Sequence, residues 1–298
     1  MTVAGKGQSS GPRVSIGLPV YNAERYLPET LDSVLRQTYS DFVLYIADNA
    51  SSDGTQEICR DYASRDSRIQ YIRNQTNIGA AANYTRCFTP ATSEYFRWQN
   101  ADDTIEPTLI EQCIQVLDNQ PDVILAYGKT HLIDENSQFT RAYDDRLHLP
   151  QESAAKRFIA CINNIDLQHL MYGLIRRKVL EHTALLKPYV SSDINFICEL
   201  ALYGKFTEIP EHLFNRRMHA KAGSWDMDDK ERQKNHWDPS KRRLVMQVWR
   251  SLFEHYEALY KAPIPFGEKR IIGYYLLKCA YWQKDMLWRE LKELGRSG

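Results

Sequence analysis

Four polar runs in the first third of the chain gather the residue types that hold a hydrogen-bonding, charged ligand. They are Pro19-Val20-Tyr21-Asn22 with Glu24, Asp48-Asn49-Ala50-Ser51-Ser52-Asp53-Gly54-Thr55, Arg73-Asn74-Gln75-Thr76-Asn77-Ile78-Gly79, and Asn100-Ala101-Asp102-Asp103. Two later runs add ionisable groups able to exchange a proton or meet an anion: Ser191-Ser192-Asp193 and Arg216-Arg217-Met218-His219. Each has a plain structural reading when taken alone. Asp53-Gly54-Thr55 reads as a turn and helix cap, Asn77 as an N-cap, Asp102-Asp103 as a solvated loop, and Asp193 as a complement to a helix dipole. Their joint occurrence at successive strand ends is what singles them out.

The elements that must carry these runs follow from periodicity. Val14 to Val20, Phe42 to Ala47, Ile69 to Ile72, Tyr95 to Trp98 and Val123 to Tyr127 read as strands. Stretches near 24–37, 54–65, 78–88 and 107–119 carry apolar residues at helical spacing, such as Leu27, Leu31, Val34 and Leu35. Such alternation predicts βαβ units in a mostly parallel sheet. In such a sheet ligands bind outside the carboxyl ends of the strands, where the polar runs fall. Further on, a polar loop (Asp134 to Leu149), helices near 151–162 and 193–203, and short strands near 171–175 and 212–218 are expected. Two helical patterns at about 241–260 and 267–293 flank Pro263 and Pro265.

Ser15-Ile16-Gly17-Leu18-Pro19-Val20-Tyr21-Asn22, then Ala47 through Thr55, then Asn77-Ile78-Gly79, then Ala101-Asp102-Asp103 resemble, in that order, family 2 glycosyltransferases of the GT-A fold. The match covers about residues 13 to 130, with looser similarity to about 225. The resemblance implies a Rossmann-like sheet flanked by helices, with a nucleotide-sugar half (13–130), an acceptor half (131–225) and a helical C-terminal region (226–298). It places Pro19, Tyr21, Asn22 and Glu24 in the nucleotide pocket and Asp48 on the base, UDP-sugars being the expected donors. Asn77, Gly79, Asn100, Ala101, Asp102 and Arg217 would complete the donor site. Asp102, Asp103 and His219 would hold Mn2+ or Mg2+, and Asp193 would be the catalytic base of an inverting transfer to a hydroxyl of a glycan or lipid-linked glycan. One departure stands out: where the family reads D-x-D-D, this chain has Asn100 first, which implies altered metal affinity. It also keeps open a second reading, a weak or inactive domain that only binds nucleotide or glycan.

Other classes have less support. No G-x-G-x-x-G or G-x-x-x-x-G-K-[ST] run follows a strand, a nucleotidylyltransferase would need a glycine-rich signature where Pro19-Val20-Tyr21-Asn22 stands, and no Q-x-x-R-W element of processive synthases is present. Thirty-eight basic and 38 acidic residues balance, which argues against a nucleic-acid partner. The balance hides a division: residues 1–215 hold 20 basic and 27 acidic side chains, residues 216–298 hold 18 and 11. The basic last quarter, rich in tryptophan and tyrosine, is expected to touch an anionic membrane surface peripherally or to form a homodimer interface. Residues 1–12 read as a flexible leader. Six scattered cysteines without C-x-x-C spacing point to a cytoplasmic setting, with Cys113, Cys161 and Cys198 in the core.

Overall fold

A computed structural model describes residues 11–219, 230–241 and 245–295. The leader expected at 1–12 and the boundary expected near 225 therefore fall largely or wholly outside the described residues. The first half runs β1 (Val14–Val20), α1 (Leu27–Leu35), β2 (Phe42–Asp48), α2 (Thr55–Arg65), β3 (Ile69–Arg73), α3 (Ala80–Phe88) and β4 (Tyr95–Trp98). β1 is buried almost throughout because helices cover both faces of a parallel sheet. Within it, a Cβ on Gly17 would lie 2.7 Å from Cys87 Cβ and 2.9 Å from Phe96 Cζ, so glycine lets α3 pack closely on the strand.

The second half contributes β5 (Thr104–Ile105), α4 (Leu109–Asn119), β6 (Val123–Ile133), β7 (Phe139–Tyr143), α5 (Ala154–Asn164), a 3-10 turn (His169–Tyr172), β8 (Leu174–Arg176), α6 (Arg177–Leu180), α7 (Ser192–Tyr203) and β9 (Lys205–Arg217). After these come α8 (Lys230–Trp237), α9 (Gln247–Lys261), α10 (Phe266–Trp282) and α11 (Lys284–Gly295). The strands form one sheet in the order β3-β2-β1-β4-β8-β6-β9-β5, with β7 paired to β6. From β3 to β4 it is parallel; β8 then runs antiparallel to both β4 and β6, while β6 and β9 are parallel. The order reverses between β1 and β4, the switch point at which an open α/β sheet leaves a crevice.

Two cores flank the sheet. One is built on Leu27, Leu31 and Val34 of α1 with Leu109, Ile110 and Cys113 of α4. The other joins Phe158 and Cys161 of α5 and Phe196 and Cys198 of α7 to Leu259 of α9 and to Ile272 and Leu276 of α10. α9 and α10 thus share a core with α5 and α7. Cys113, Cys161 and Cys198 are buried free thiols, as expected.

Candidate active site

Backbone geometry at the end of β1 and β2 is set by loops that hydrogen-bond to each other. Asn22 (φ 48°) and Ala50 (φ 62°) are left-handed. The Asn22 N–H donates to Ser51 Oγ at 3.0 Å, and Asn22 Oδ1 accepts from the Ser52 N–H at 2.9 Å. Glu24 accepts the Gly54 N–H at 2.7 Å, and Asp53 accepts the Glu24 and Thr55 N–H groups. Asp53 and Glu24 therefore hold the start of α2, and Asn22 fixes the loop. Tyr21 stands 51% exposed beside them.

Asp48 is fully enclosed. Its carboxylate accepts the Ser51 N–H at 2.9 Å, the Tyr71 hydroxyl at 2.8 Å, and the guanidinium of Arg73, its neighbour in the β2–β3 register. Burial pushes its pKa up, but the hydrogen bonds from Ser51, Tyr71 and Arg73 outweigh it and hold the group below the usual aspartate value. Asp48, expected on the base, thus shares this corner with Arg73. Arg73, one-third exposed, is the side chain that reaches outward from this corner, and its place opposite Asp48 at the end of β3 is the signal that could have found it.

Beside it lies an asparagine network. Asn49 Oδ1 accepts from the Ile78 N–H and from Asn74, Asn74 also donates to Asn83, and Asn77 Oδ1 accepts from Asn49 at 2.8 Å and from the Gly79 N–H at 2.9 Å. Gly79 has φ +84°, and a Cβ there would meet Trp237 O and Pro239 Cδ at 2.9 Å, so only glycine admits the segment after α8. Asn77 and Gly79 shape this wall.

At the end of β4 the acidic run divides. Asp102, partly exposed, meets His219 Nε2 at 2.9 Å. Burial raises its pKa, while His219 and Arg216 outweigh that and lower it. Asp103 turns inward: it is wholly buried and accepts the Arg217 N–H at 2.8 Å and Asn100 Nδ2 at 3.1 Å, with Arg216 at 3.5 Å. Asn100 Oδ1 accepts the Tyr84 hydroxyl at 2.6 Å. The amide thus donates to a buried carboxylate and accepts from a phenol at once, which an aspartate at 100 could not do beside Asp103. Two of the expected roles change with this geometry. Asp103 does not sit with Asp102 and His219, because its oxygens are taken up by neighbours from β9. Nor does Arg217 face the crevice. Its guanidinium, 1% exposed, reaches Glu29 at 2.7 Å, Ser137 Oγ at 2.8 Å and Asp102 O at 2.8 Å, and lies over the Tyr26 ring at 4.5 Å. Arg216, its neighbour on β9, lies instead against the buried Asp103. The charges of Asp103 and Asp102 outweigh its burial and raise its pKa.

Asp193 lies on the first turn of α7, after Ser191 in the left-handed region (φ 64°), and accepts the Ile194 N–H at 3.0 Å. Burial raises its pKa, with the Ile194 N–H and the Arg216 charge opposing. Tyr172 closes the near side, held by Arg97 donating to its carbonyl at 2.8 Å. Among the described residues no three His, Cys, Asp or Glu side chains converge as a cation cage. Asp102 and His219 form a two-donor edge, which suits a cation completed by substrate phosphate oxygens and water.

A doubly wound parallel half, a mixed second half and a polar crevice at the switch point define the GT-A glycosyltransferase fold. The sequence model of Glycosyl transferase family 2 matches residues 15–183, more than half the chain, and the chain belongs to that family. Among its relatives is the putative glycosyltransferase EpsE of Bacillus subtilis, 40% identical over 111 residues; the match takes in 37% of this chain and 40% of the relative. The chain thus spans well under two-thirds of that relative's length. Similar solved structures include S. aureus TarS 1-349 in complex with UDP-GlcNAc (TM-score 0.66, 15% identity, 89% of this chain and 71% of that one). Another is the mannosyltransferase PcManGT of Pyrobaculum calidifontis in complex with GDP-Man and Mn2+ (TM-score 0.56, 17% identity, 97% and 77%).

Proposed function

We propose that the protein transfers a sugar from a nucleoside diphosphate donor, a UDP-sugar, to a hydroxyl of a glycan or lipid-linked glycan, with inversion at the anomeric carbon. The observation that carries this reading is that the Asp48–Arg73 pair at the ends of β2 and β3 and the Asp102–His219 pair after β4 gather at the switch-point crevice of a family 2 glycosyltransferase chain. Asp193 takes the proton of the acceptor hydroxyl as its oxygen bonds to the anomeric carbon, and the bond to the nucleoside diphosphate breaks on the opposite face. A pKa raised by burial makes Asp193 a stronger base than a solvated aspartate. Arg216 opposes the negative charge that grows on the departing diphosphate. Asp102 and His219 would hold a divalent cation, which supplies further neutralisation of that charge. Tyr21 and Arg73 border the nucleoside corner, with Asp48 orienting Arg73. The nucleotide sugars bound by TarS and PcManGT support the donor class.

The test is nucleotide binding and donor turnover with UDP, GDP and dTDP sugars, with and without Mn2+. Asp193→Asn is expected to lose nearly all transfer while keeping nucleotide affinity. Retained turnover removes Asp193 as the base, and no nucleotide binding at millimolar concentration removes the donor reading.

A further inference from the structure

α10 is apolar on two opposite faces, and among the described residues only one is covered. Ile272 and Leu276 are buried against α5 and α9. On the other side Tyr274, Leu277 and Tyr281 recur at helical spacing and stand 62 to 67% exposed, with Trp282 beside them. Lysines lie over this stripe: Lys278 Nζ is 4.6 Å from the Tyr274 ring centre and Lys284 Nζ 4.6 Å from that of Tyr281. The charges of α10 and α11 are sorted as well. Of their acidic residues, Glu268 caps α5 through Ser153 Oγ and the Ala155 N–H, and Glu290 caps α9 through the Val248 and Trp249 N–H groups. Asp285 and Glu293 are exposed, against the exposed bases Arg270, Lys278, Lys284, Arg289 and Lys292.

We propose that the outer face of α10, continued by α11, docks on an anionic lipid surface, with the aromatic stripe at headgroup depth and the lysines and arginines on lipid phosphates. An amphipathic helix rich in Trp and Tyr with basic flanks is the arrangement that lies in such an interface. A second copy fits the stripe less well. A twofold interface sets a patch against itself, so Arg270 and Lys278 would meet like charges, and lysine is depleted from interface centres. Anionic headgroups neutralise those charges. This face lies on the C-terminal helices, and its docking is independent of which sugar or acceptor the crevice takes.

The experiment is flotation of the full chain with vesicles of phosphatidylcholine alone and of phosphatidylcholine mixed with phosphatidylglycerol, alongside light scattering of the protein in solution. Binding to the mixed vesicles only, falling as salt rises, is expected. A basic residue at an anionic surface is worth about fivefold in affinity, so Arg270→Gln/Lys278→Gln/Lys284→Gln lowers binding roughly a hundredfold. Tyr274→Ser/Leu277→Ser/Tyr281→Ser abolishes it, and both variants keep the parent's thermal transition because these side chains lie outside the core. Equal binding to neutral vesicles, no binding to either, or a concentration-dependent dimer that the serine variant dissociates each overturns the proposal.

Discussion

Asp102 and Asp103 are adjacent in sequence and opposite in surroundings, and the difference is testable one side chain at a time. Asp103→Ala removes the acceptor for the Arg217 N–H and leaves Arg216 without its buried counter-charge. A loss of about 3 kcal/mol is expected in denaturant unfolding, as when one partner of a buried pair is deleted. Asp102→Ala keeps the unfolding midpoint and loses cation-dependent nucleotide binding; a variant that still responds to Mn2+ would remove the two-donor edge. Asn100→Asp restores the family's residue type but replaces a donor to the buried Asp103 with a second carboxylate, so a lower melting temperature is expected. For Asp193, whose pKa burial raises, kcat/KM should climb with pH along a limb displaced above the ordinary aspartate value. A limb at or below that value would point to another base. The sequence displayed these residues but not their directions. Arg216 and Arg217 are indistinguishable as letters, and strand alternation puts the guanidinium of one against Asp103 and that of the other onto Glu29 and Tyr26.

Among the elements, the early strands and helices were legible because their apolar residues repeat with clear periods. The hairpin of β6 and β7 was not. Phe139-Thr140-Arg141-Ala142-Tyr143 is nearly all exposed and, among the described residues, pairs only with β6, so it carries no burial pattern. Its turn is made by Asp134 accepting the Asn136 and Gln138 N–H groups, with Ser137 left-handed and bonded to Glu29. The single helix expected over 267–293 is broken at Gln283, giving α10 and α11. α9 carries a buried histidine whose titration reports its docking. His255 packs edge-on against Phe158 of α5, and burial lowers its pKa from 6.5 to about 4. The unfolded chain takes up this proton first as pH falls. The contribution is therefore complete above pH 6.5 and is lost progressively toward pH 4, up to about 3 kcal/mol. Glu199, pushed up to about 6 by burial on α7, has the opposite slope between 4.5 and 6. The comparison with His255→Leu isolates α9: the variant should show a flatter fall of the urea midpoint between pH 6.5 and 4, and an unchanged slope would show that His255 is not held neutral.

At the scale of the whole molecule, the acidic first part and basic last part are joined by a common core. Leu259, Ile272 and Leu276 are each 6% exposed or less, and losing a single such side chain costs about 2 to 5 kcal/mol. A chain ended at Ser240 is expected to lose the cooperative thermal transition of the full chain; a sharp transition would show that the domain closes without α9 and α10. Among the described residues no helix is long and apolar enough to cross a membrane. Two acidic residues of the crevice are matched within it, Asp48 by Arg73 and Asp102 by His219. By itself the sequence determined the alternation of strands and helices, the family and the strand ends that carry polar groups, because those depend on local periodicity and on motifs a few residues long. Tertiary structure alone decided that Asp103 and Arg217 are struts, that Arg216 pairs with the buried Asp103 while Arg73 reaches outward from Asp48, and that the last helices close the core. Each of those outcomes depends on partners some 25 to 190 positions away, Asp48 to Arg73 and Glu29 to Arg217 being examples, and no local pattern encodes which side of a strand such a partner will occupy.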